Sequence, residues 1–211
     1  MDILNLIENN STNNYKNIVF GINNSKLKKN NIASFDLPQG ETCPFAGECL
    51  KFCYAKKGSY HYPNVKKKYT KNYELSISDN FINIVDESIK ALPNVNFYRI
   101  HSSGDYYNRK YINKWVQIAK NNPTKVFYSY TKSMQLFKNI NLPQNFIINQ
   151  SEGTKNDNKY IDYKKTFVRI FENKNELITA VESGNFIDCS NNDLESVKAN
   201  ILNKNIALLK H

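Results

Sequence analysis

The chain has 211 residues, 40% of them hydrophobic, which is enough for one domain with a buried core and too few for two. Glycine and proline are scarce, with seven and six copies, which argues against a low-complexity or disordered chain. The formal net charge of +10 favours anionic partners such as nucleic acid, nucleotides or acidic substrates. Lysines that only keep an asparagine-rich chain in solution would give the same charge.

The N-terminal segment shows no targeting signal. Residues 1–10, MDILNLIENN, lack the basic start and the apolar run of a signal peptide. No stretch approaches the roughly 18 apolar residues of a membrane span. We therefore expect a cytoplasmic protein with no membrane partner, in which thiols stay reduced. The whole chain, residues 1–211, is predicted to form a single α/β domain, with residues 1–31 as an irregular N-terminal segment packed on it.

Strand and helix patterns alternate from about residue 32 onward. Short apolar runs predict strands at 32–37, 95–101, 126–130, 146–149 and 166–171, and a last apolar run at 206–209. Apolar residues at helical spacing predict helices at 69–92, 109–121, 174–183 and 193–202, with a short helix or turn at 134–138. Such alternation implies parallel strands joined by crossover helices. Because five or six β/α units are too few for an eight-fold barrel, the predicted fold is a parallel sheet or a partial (β/α) barrel.

Three of the four cysteines lie in one loop after the first predicted strand. Cys43, Cys49 and Cys53 have the spacing C-x5-C-x3-C, and in a reducing compartment such clustering favours metal binding over disulfides. Thiolate ligands select zinc, copper(I) or iron–sulfur. Structural zinc prefers four ligands, whereas a 4Fe-4S cluster on three cysteines leaves one iron open for catalysis. We predict an iron–sulfur cluster; zinc with Cys189 or a histidine as fourth ligand is the alternative, and ordinary buried cysteines are the third interpretation.

Polar residues follow the later predicted strands, where parallel α/β proteins bind their ligands. The second strand runs into a turn with Ser103 and Gly104, and glycine lets the backbone approach a ligand closely. The third strand is followed by Lys132, whose ammonium suits a carboxylate or phosphate. His101 is either a functional group or a hydrogen-bonded strand-end histidine, and Asp105 either a ligand-binding group or a helix cap. The predicted catalytic residues are His101, Asp105 and Lys132, and the predicted cofactor-binding residues are Ser103, Gly104, Asp105 and Arg169.

A basic and aromatic stretch covers residues 54–73. Its lysines could contact phosphates while its tyrosines stack on bases, as in a nucleic-acid-binding surface. Solvated lysines beside a half-buried helix would give the same pattern.

The cysteine loop resembles the cluster loop of radical S-adenosylmethionine enzymes, although its spacing departs from their common C-x3-C-x2-C. The chain as a whole resembles the phage gene product 88 family. The matching segments are 24–27, 32–35, 42–46, 49–55, 99–105, 127–133 and the terminal His211. The resemblance implies a radical-S-adenosylmethionine-like fold and a 4Fe-4S cluster on the three loop cysteines. It also implies an electron donor as partner, and a 103–105 turn that holds the amino group of S-adenosylmethionine.

These observations lead to two hypotheses about function, one an enzyme and the other a binding protein. The first is an iron–sulfur enzyme of radical S-adenosylmethionine type, of phage or mobile-element origin, acting on an unknown substrate related to nucleic acid. The second is a zinc-stabilised, non-catalytic nucleic-acid-binding protein that uses the lysine and tyrosine stretch.

Overall fold

The computed structural model of the protein describes residues 19–22, 24–154 and 156–210. Most of the predicted N-terminal segment, residues 1–18, and the matching terminal His211 lie outside the described residues. Of that segment, Phe20 is buried against the rings of Phe35 and Tyr98, at centroid distances of 6.2 and 4.8 Å. Gly21 exchanges two backbone hydrogen bonds of 2.7 and 2.8 Å with Ser34. The last part of the segment therefore packs on the domain.

The described residues contain one seven-stranded sheet, and every pair of neighbouring strands is parallel. This confirms the predicted α/β class with a parallel sheet. The order is β1-β2-β3-β4-β5-β7-β6, so β1 and β6 are the edges. The strands are β1 (Ile32–Phe35), β2 (Phe97–Ile100), β3 (Val126–Thr131), β4 (Phe146–Ser151), β5 (Phe167–Phe171), β6 (Phe186–Asp188) and β7 (Asn205–Leu209).

The helices of the described residues follow the predicted alternation, with one correction. The helix predicted at 69–92 is two helices, because Ser78 leaves helical geometry with ψ 154°. The first of them also begins earlier, at Pro63, a residue whose fixed φ suits the first turn of a helix. The helices are α1 (Ser25–Lys28), α2 (Pro63–Ile77), α3 (Phe81–Lys90), α4 (Arg109–Asn121), α5 (Asp157–Tyr160), α6 (Lys174–Glu182) and α7 (Leu194–Ile201). Short 3-10 turns lie at Glu48–Leu50, Tyr54–Lys56, Gly58–His61 and Met134–Phe137.

The strand order reverses near the C terminus, where β7 inserts between β5 and β6. Because crossovers between parallel strands are right-handed, this reversal places α7 on the opposite face of the sheet from α3 and α4. Val197 of α7 packs with Tyr128 and with Leu27 of α1. The other face packs Tyr98 and other core residues against α3 and α4. Helices thus cover both faces of the sheet.

None of the described helices is both long enough and apolar enough to cross a membrane.

Candidate functional site

A cavity of about 400 Å³ opens at the carboxyl ends of the central strands, the edge where parallel α/β proteins bind ligands. The cysteine loop forms one of its walls, and the turns after β2 and β3 form another. Residues of α1 and Asp193, just before α7, also line it. Several side chains that the sequence singled out line it together: Cys43, Cys49, Cys53, His101, Ser103, Gly104, Asp105 and Lys132.

The three loop cysteines are free thiols, each partly accessible, and all of them face this one cavity. Within the described residues, no three His, Cys, Asp or Glu side chains are already arranged to hold a metal ion. Each cysteine of an iron–sulfur cluster binds a different iron, so the sulfurs of a cluster lie further apart than the ligands of a single ion. The structure thus brings the three thiols to one cavity without forming a ready-made single-ion site.

The surroundings of Cys43 and Cys49 change the pKa values of their thiols. Burial, together with the neighbouring carboxyl group of Asp105, raises the pKa of Cys43 to about 12. Burial also raises the pKa of Cys49, and the ammonium group of Lys132 opposes that rise. Cys43 and Cys49 are therefore neutral at pH 7 unless a cation at the site stabilises their ionised forms.

Two close backbone approaches hold the cysteine loop in place. Gly104 has φ +84°, and a Cβ there would lie 2.6 Å from Leu37 Cβ and 2.6 Å from Thr42 Oγ1. On the other side of the loop, a Cβ at Gly47 would overlap the backbone carbonyl oxygen of Gly153. Gly104 thus allows the turn after β2 to pack closely against the start of the cysteine loop. Gly47 allows the cysteine loop to pack closely against the loop after β4.

The turn after β2 is fixed by a buried carboxylate. Asp36 Oδ1 accepts hydrogen bonds from the backbone N–H groups of Ser102 at 2.5 Å and Ser103 at 3.2 Å. The Ser103 hydroxyl donates to the Leu37 carbonyl at 2.9 Å, and the Ser103 carbonyl accepts from the Leu37 N–H at 2.9 Å. The polar groups of Ser103 are therefore used within the protein. Ser102 Oγ is buried at the cavity wall and has no hydrogen-bond partner among the described residues.

Asp105 joins the ends of β2 and β3. Its Oδ1 accepts from Thr131 Oγ1 at 2.5 Å and from the Tyr106 N–H at 2.7 Å, and its Oδ2 accepts from the Lys132 N–H at 3.0 Å. Burial raises the pKa of Asp105, and these hydrogen bonds oppose the rise. The side chain lines the cavity and is also a structural link between two strand ends.

His101 lies at the end of β2 with φ +70°, in the left-handed region that few non-glycine residues adopt. Its ring packs edge-on against Tyr106 at 4.7 Å, and its Nε2 lies 2.9 Å from the Tyr111 hydroxyl. Burial, followed by the charge of Arg99, lowers its pKa to about 3. The residue contributes to the cavity wall, but its imidazole belongs to the aromatic core beneath the wall.

Lys132 and Arg169 have different environments. The Lys132 ammonium donates to the Glu152 carbonyl oxygen, and burial lowers its pKa while Cys49 opposes that change. Arg169 does not reach the cavity: its guanidinium forms two hydrogen bonds of 2.7 and 2.8 Å with the Glu152 carboxylate. It shares the face of the sheet with Ala207, its partner in register, and lies over the ring of Phe167 at 5.3 Å. The structure therefore brings Lys132, and not Arg169, to the other predicted residues.

The sequence reading missed the second half of the cavity, which we call the Arg99 end. There Arg99 Nη1 lies 2.6 Å from Asp193 Oδ2, and Lys26 Nζ lies 2.9 Å from Asp193 Oδ1. Burial alone would raise the pKa of Asp193, but Arg99 and Lys26 outweigh it and lower that pKa. The rings of Tyr54, Tyr60 and Tyr130 line the same end. The sequence signal that could have revealed this end is Arg99 itself, a charged residue in the otherwise apolar and aromatic strand β2.

Together these features define an α/β protein with an all-parallel sheet and a cysteine-lined cavity at its carboxyl edge. The chain belongs to the family described as Gene product 88, whose sequence profile matches residues 8–210. This confirms the resemblance to the phage gene product 88 family. The chain is also similar to the Gene 88 protein of Mycobacterium phage L5, with 30% identity over 112 residues, covering 47% of each chain. The match thus spans about half the length of that curated relative. No solved structure matches the chain.

Proposed function

We propose that this protein is an iron–sulfur enzyme of radical S-adenosylmethionine type, in which Cys43, Cys49 and Cys53 hold a 4Fe-4S cluster. One observation carries the proposal: the three thiols line a single cavity together with Gly104 and Asp105 at the carboxyl edge of a parallel sheet. A cofactor bound there would meet a substrate within the same cavity, which is the usual arrangement in open α/β folds.

The cavity fits such a group in volume and in donor chemistry. About 400 Å³ lies within the range of small-molecule and cofactor sites. Soft sulfur donors are the ligands that iron–sulfur clusters require. Because burial raises the pKa values of Cys43 and Cys49, a metal centre would also supply the positive charge that allows both thiols to ionise.

When bound, a cluster on three cysteines supplies one iron with an open coordination position and an electron, which an electron-donor protein would replenish. The protein's own residues shape and close the site. Lys132 brings an amine to the cavity that Cys49 also lines, and it ties the end of β3 to the loop after β4. Tyr54 lines the cavity and donates a hydrogen bond to the Ser102 carbonyl. A cytoplasmic location, which would keep the thiols reduced, remains a prediction.

Anaerobic purification tests the proposal directly. We expect a brown protein with iron and acid-labile sulfide in equal amounts, and loss of the colour in Cys43→Ser, Cys49→Ser and Cys53→Ser. Cys189→Ser is the matched control, because Cys189 is a free thiol buried apart from the cavity among Val168, Ala199 and Ile206. A colourless protein that carries stoichiometric zinc would overturn the proposal.

A second candidate, a zinc-stabilised nucleic-acid-binding protein, is favoured by the outer face of α2. Lys66, Lys67 and Lys71 are exposed there, and within the described residues none of them forms an ion pair. Tyr62, just before the helix, is 60% exposed. Unpaired lysines beside an exposed ring suit phosphate and base contacts.

Duplex DNA and single-stranded DNA binding, measured at several salt concentrations, separate this candidate from the first. Under it, changing the three α2 lysines to glutamine reduces the salt dependence of binding by about one unit per lysine removed. A control variant removes the same charge elsewhere, through exposed Lys110, Lys120 and Lys174. Equal losses in both variants would exclude a specific α2 surface.

A further inference from the structure

We propose that the Arg99 end of the cavity is a nucleotide-binding subsite, with the phosphate on Lys26 and Arg99 and the base against Tyr60. The inference deepens the proposed function, because it names the substrate class of the same cavity.

The charges at this end point to an anion. Lys26 and Arg99 flank the two oxygens of one carboxylate, that of Asp193, so these three side chains alone sum to one positive charge. The Arg99 side chain is only 14% exposed and Asp193 only 2%. The buried carboxyl group of Asp36 also interacts with Arg99, so the positive charge that an anion entering the cavity would meet is chiefly that of the partly exposed Lys26 ammonium.

The geometry leaves donors available for that anion. Arg99 uses Nη1 for Asp193 and makes a long contact of 3.4 Å from Nε to the His101 carbonyl. In the part of the chain that the structure describes, its Nη2 makes no hydrogen bond. Lys26, held in place by the Asn24 cap of α1, is 34% exposed on the cavity side and has two further ammonium hydrogens to donate. Guanidinium and ammonium groups side by side are typical of phosphate sites.

The aromatic walls favour a planar ring next to the anion. The Arg99 guanidinium lies 5.0 Å from the centroid of Tyr130, and the half-buried ring of Tyr60 packs edge-on against Tyr54 at 5.7 Å. Tyrosine rings that line a cavity and are not sealed inside the core are suitable stacking surfaces for a base. The ligand must share the cavity of about 400 Å³ with the group at the cysteine end, which restricts it to a single nucleotide. Ser102, whose buried hydroxyl has no hydrogen-bond partner among the described residues, also lines the cavity and is a further donor or acceptor for the ligand.

Isothermal titration calorimetry on the anaerobically purified full chain tests the subsite. The probes are thymidine 5′-monophosphate, thymidine and inorganic phosphate. A thymine base is chosen because it is absent from S-adenosylmethionine, so that binding is not assigned to the cofactor's own site. We expect the monophosphate to bind most tightly, and both fragments to bind at least about tenfold more weakly, because each lacks one of the two contacts.

Four variants, one of them a control, locate the binding. Lys26→Met, and Arg99→Lys, which keeps a positive charge beside Asp193, should each weaken thymidine monophosphate binding by about tenfold. Lys28→Met is the matched control: it removes the same charge from the same helix at an exposed position outside the cavity, and it should leave binding unchanged within about twofold. Tyr60→Leu should weaken the binding of thymidine monophosphate and leave the binding of free phosphate unchanged.

Four results would overturn the subsite: no binding of the monophosphate, equal binding in Lys26→Met and Lys28→Met, thymidine binding as tightly as its monophosphate, or phosphate alone binding as tightly as the monophosphate. Iron and sulfide are measured on the same samples. Iron-loaded protein that fails to bind the nucleotide contradicts this inference alone. Protein that binds the nucleotide but never carries iron contradicts the proposed function and leaves the subsite intact.

Discussion

Replacing Gly104 by alanine should damage the docking of the cysteine loop far more than its small size suggests. Gly104 has φ +84°, a conformation that costs an L-residue about 1–2 kcal/mol. The new Cβ would also lie 2.6 Å from both Leu37 Cβ and Thr42 Oγ1, and such overpacking costs about 1–3 kcal/mol. The expected loss is therefore about 2–5 kcal/mol, out of the roughly 5–15 kcal/mol that hold a domain folded.

Urea-induced unfolding of the wild type, Gly104→Ala and Gly184→Ala measures this loss. Gly184 is the matched control, because it has φ +76° and no atom lies within 4 Å of the Cβ that alanine would add. It should therefore lose only the backbone part, about 1–2 kcal/mol. If both variants lose the same free energy of unfolding, the close approach of the turn after β2 to the cysteine loop contributes nothing, and the reasoning is wrong. We also expect Gly104→Ala, unlike the control, to retain less iron.

Three further predictions concern the same walls. Gly47→Ala should cost about 1–3 kcal/mol of unfolding free energy and reduce iron retention, because its Cβ would overlap the Gly153 carbonyl, a backbone atom that cannot move aside cheaply. Lys132→Met should cost about 1.5–3 kcal/mol, because it removes the charged hydrogen bond to the Glu152 carbonyl. Burial, and then the charge of Arg99, lowers the pKa of His101 from 6.5 to about 3. Between these two pH values His101 is therefore protonated in the unfolded chain and neutral in the folded protein. The stability that neutral His101 contributes is thus complete above about pH 6.5 and falls by about 1.4 kcal/mol per unit toward pH 3, and His101→Asn should flatten this part of the unfolding profile.

Each of these has an outcome that contradicts it. For Gly47→Ala it is a free energy of unfolding equal to that of the wild type, because the Gly153 carbonyl oxygen would then not be as close to the added Cβ as the structure places it. Unchanged unfolding and iron content in Lys132→Met would show that its link to the loop after β4 is not formed. A His101→Asn profile with the same slope as the wild type between about pH 6.5 and pH 4 would assign the acid sensitivity to other groups.

The order of elements was predictable because apolar runs and helical spacing are local signals. The helix predicted at 109–121 is Arg109–Asn121, and the strands around residues 32, 126 and 146 begin where the apolar runs begin. The strand Phe186–Asp188 was missed because three residues are too few to show alternation. The insertion of β7 between β5 and β6 was not predictable, since it depends on contacts between residues distant in sequence.

The cysteine end of the site was predictable because its residue types are unusual and follow strands. The contacts of individual residues were less predictable, because they depend on tertiary packing. Asp36 accepts the hydrogen bonds of the N–H groups in the turn after β2, and Arg169 binds the Glu152 carboxylate outside the cavity. The Arg99 end went unnoticed because Lys26 and Asp193 are far apart in sequence and meet only when α1 and α7 cover the same face of the sheet.

Iron and sulfide analysis of the anaerobically purified protein, compared with Cys53→Ser and Cys189→Ser, tests the central claim most directly. We expect about four irons per chain in the wild type and in Cys189→Ser, with iron and colour lost in Cys53→Ser. Equal metal content in all three proteins, or zinc in place of iron, would contradict the claim that the loop cysteines hold an iron–sulfur cluster.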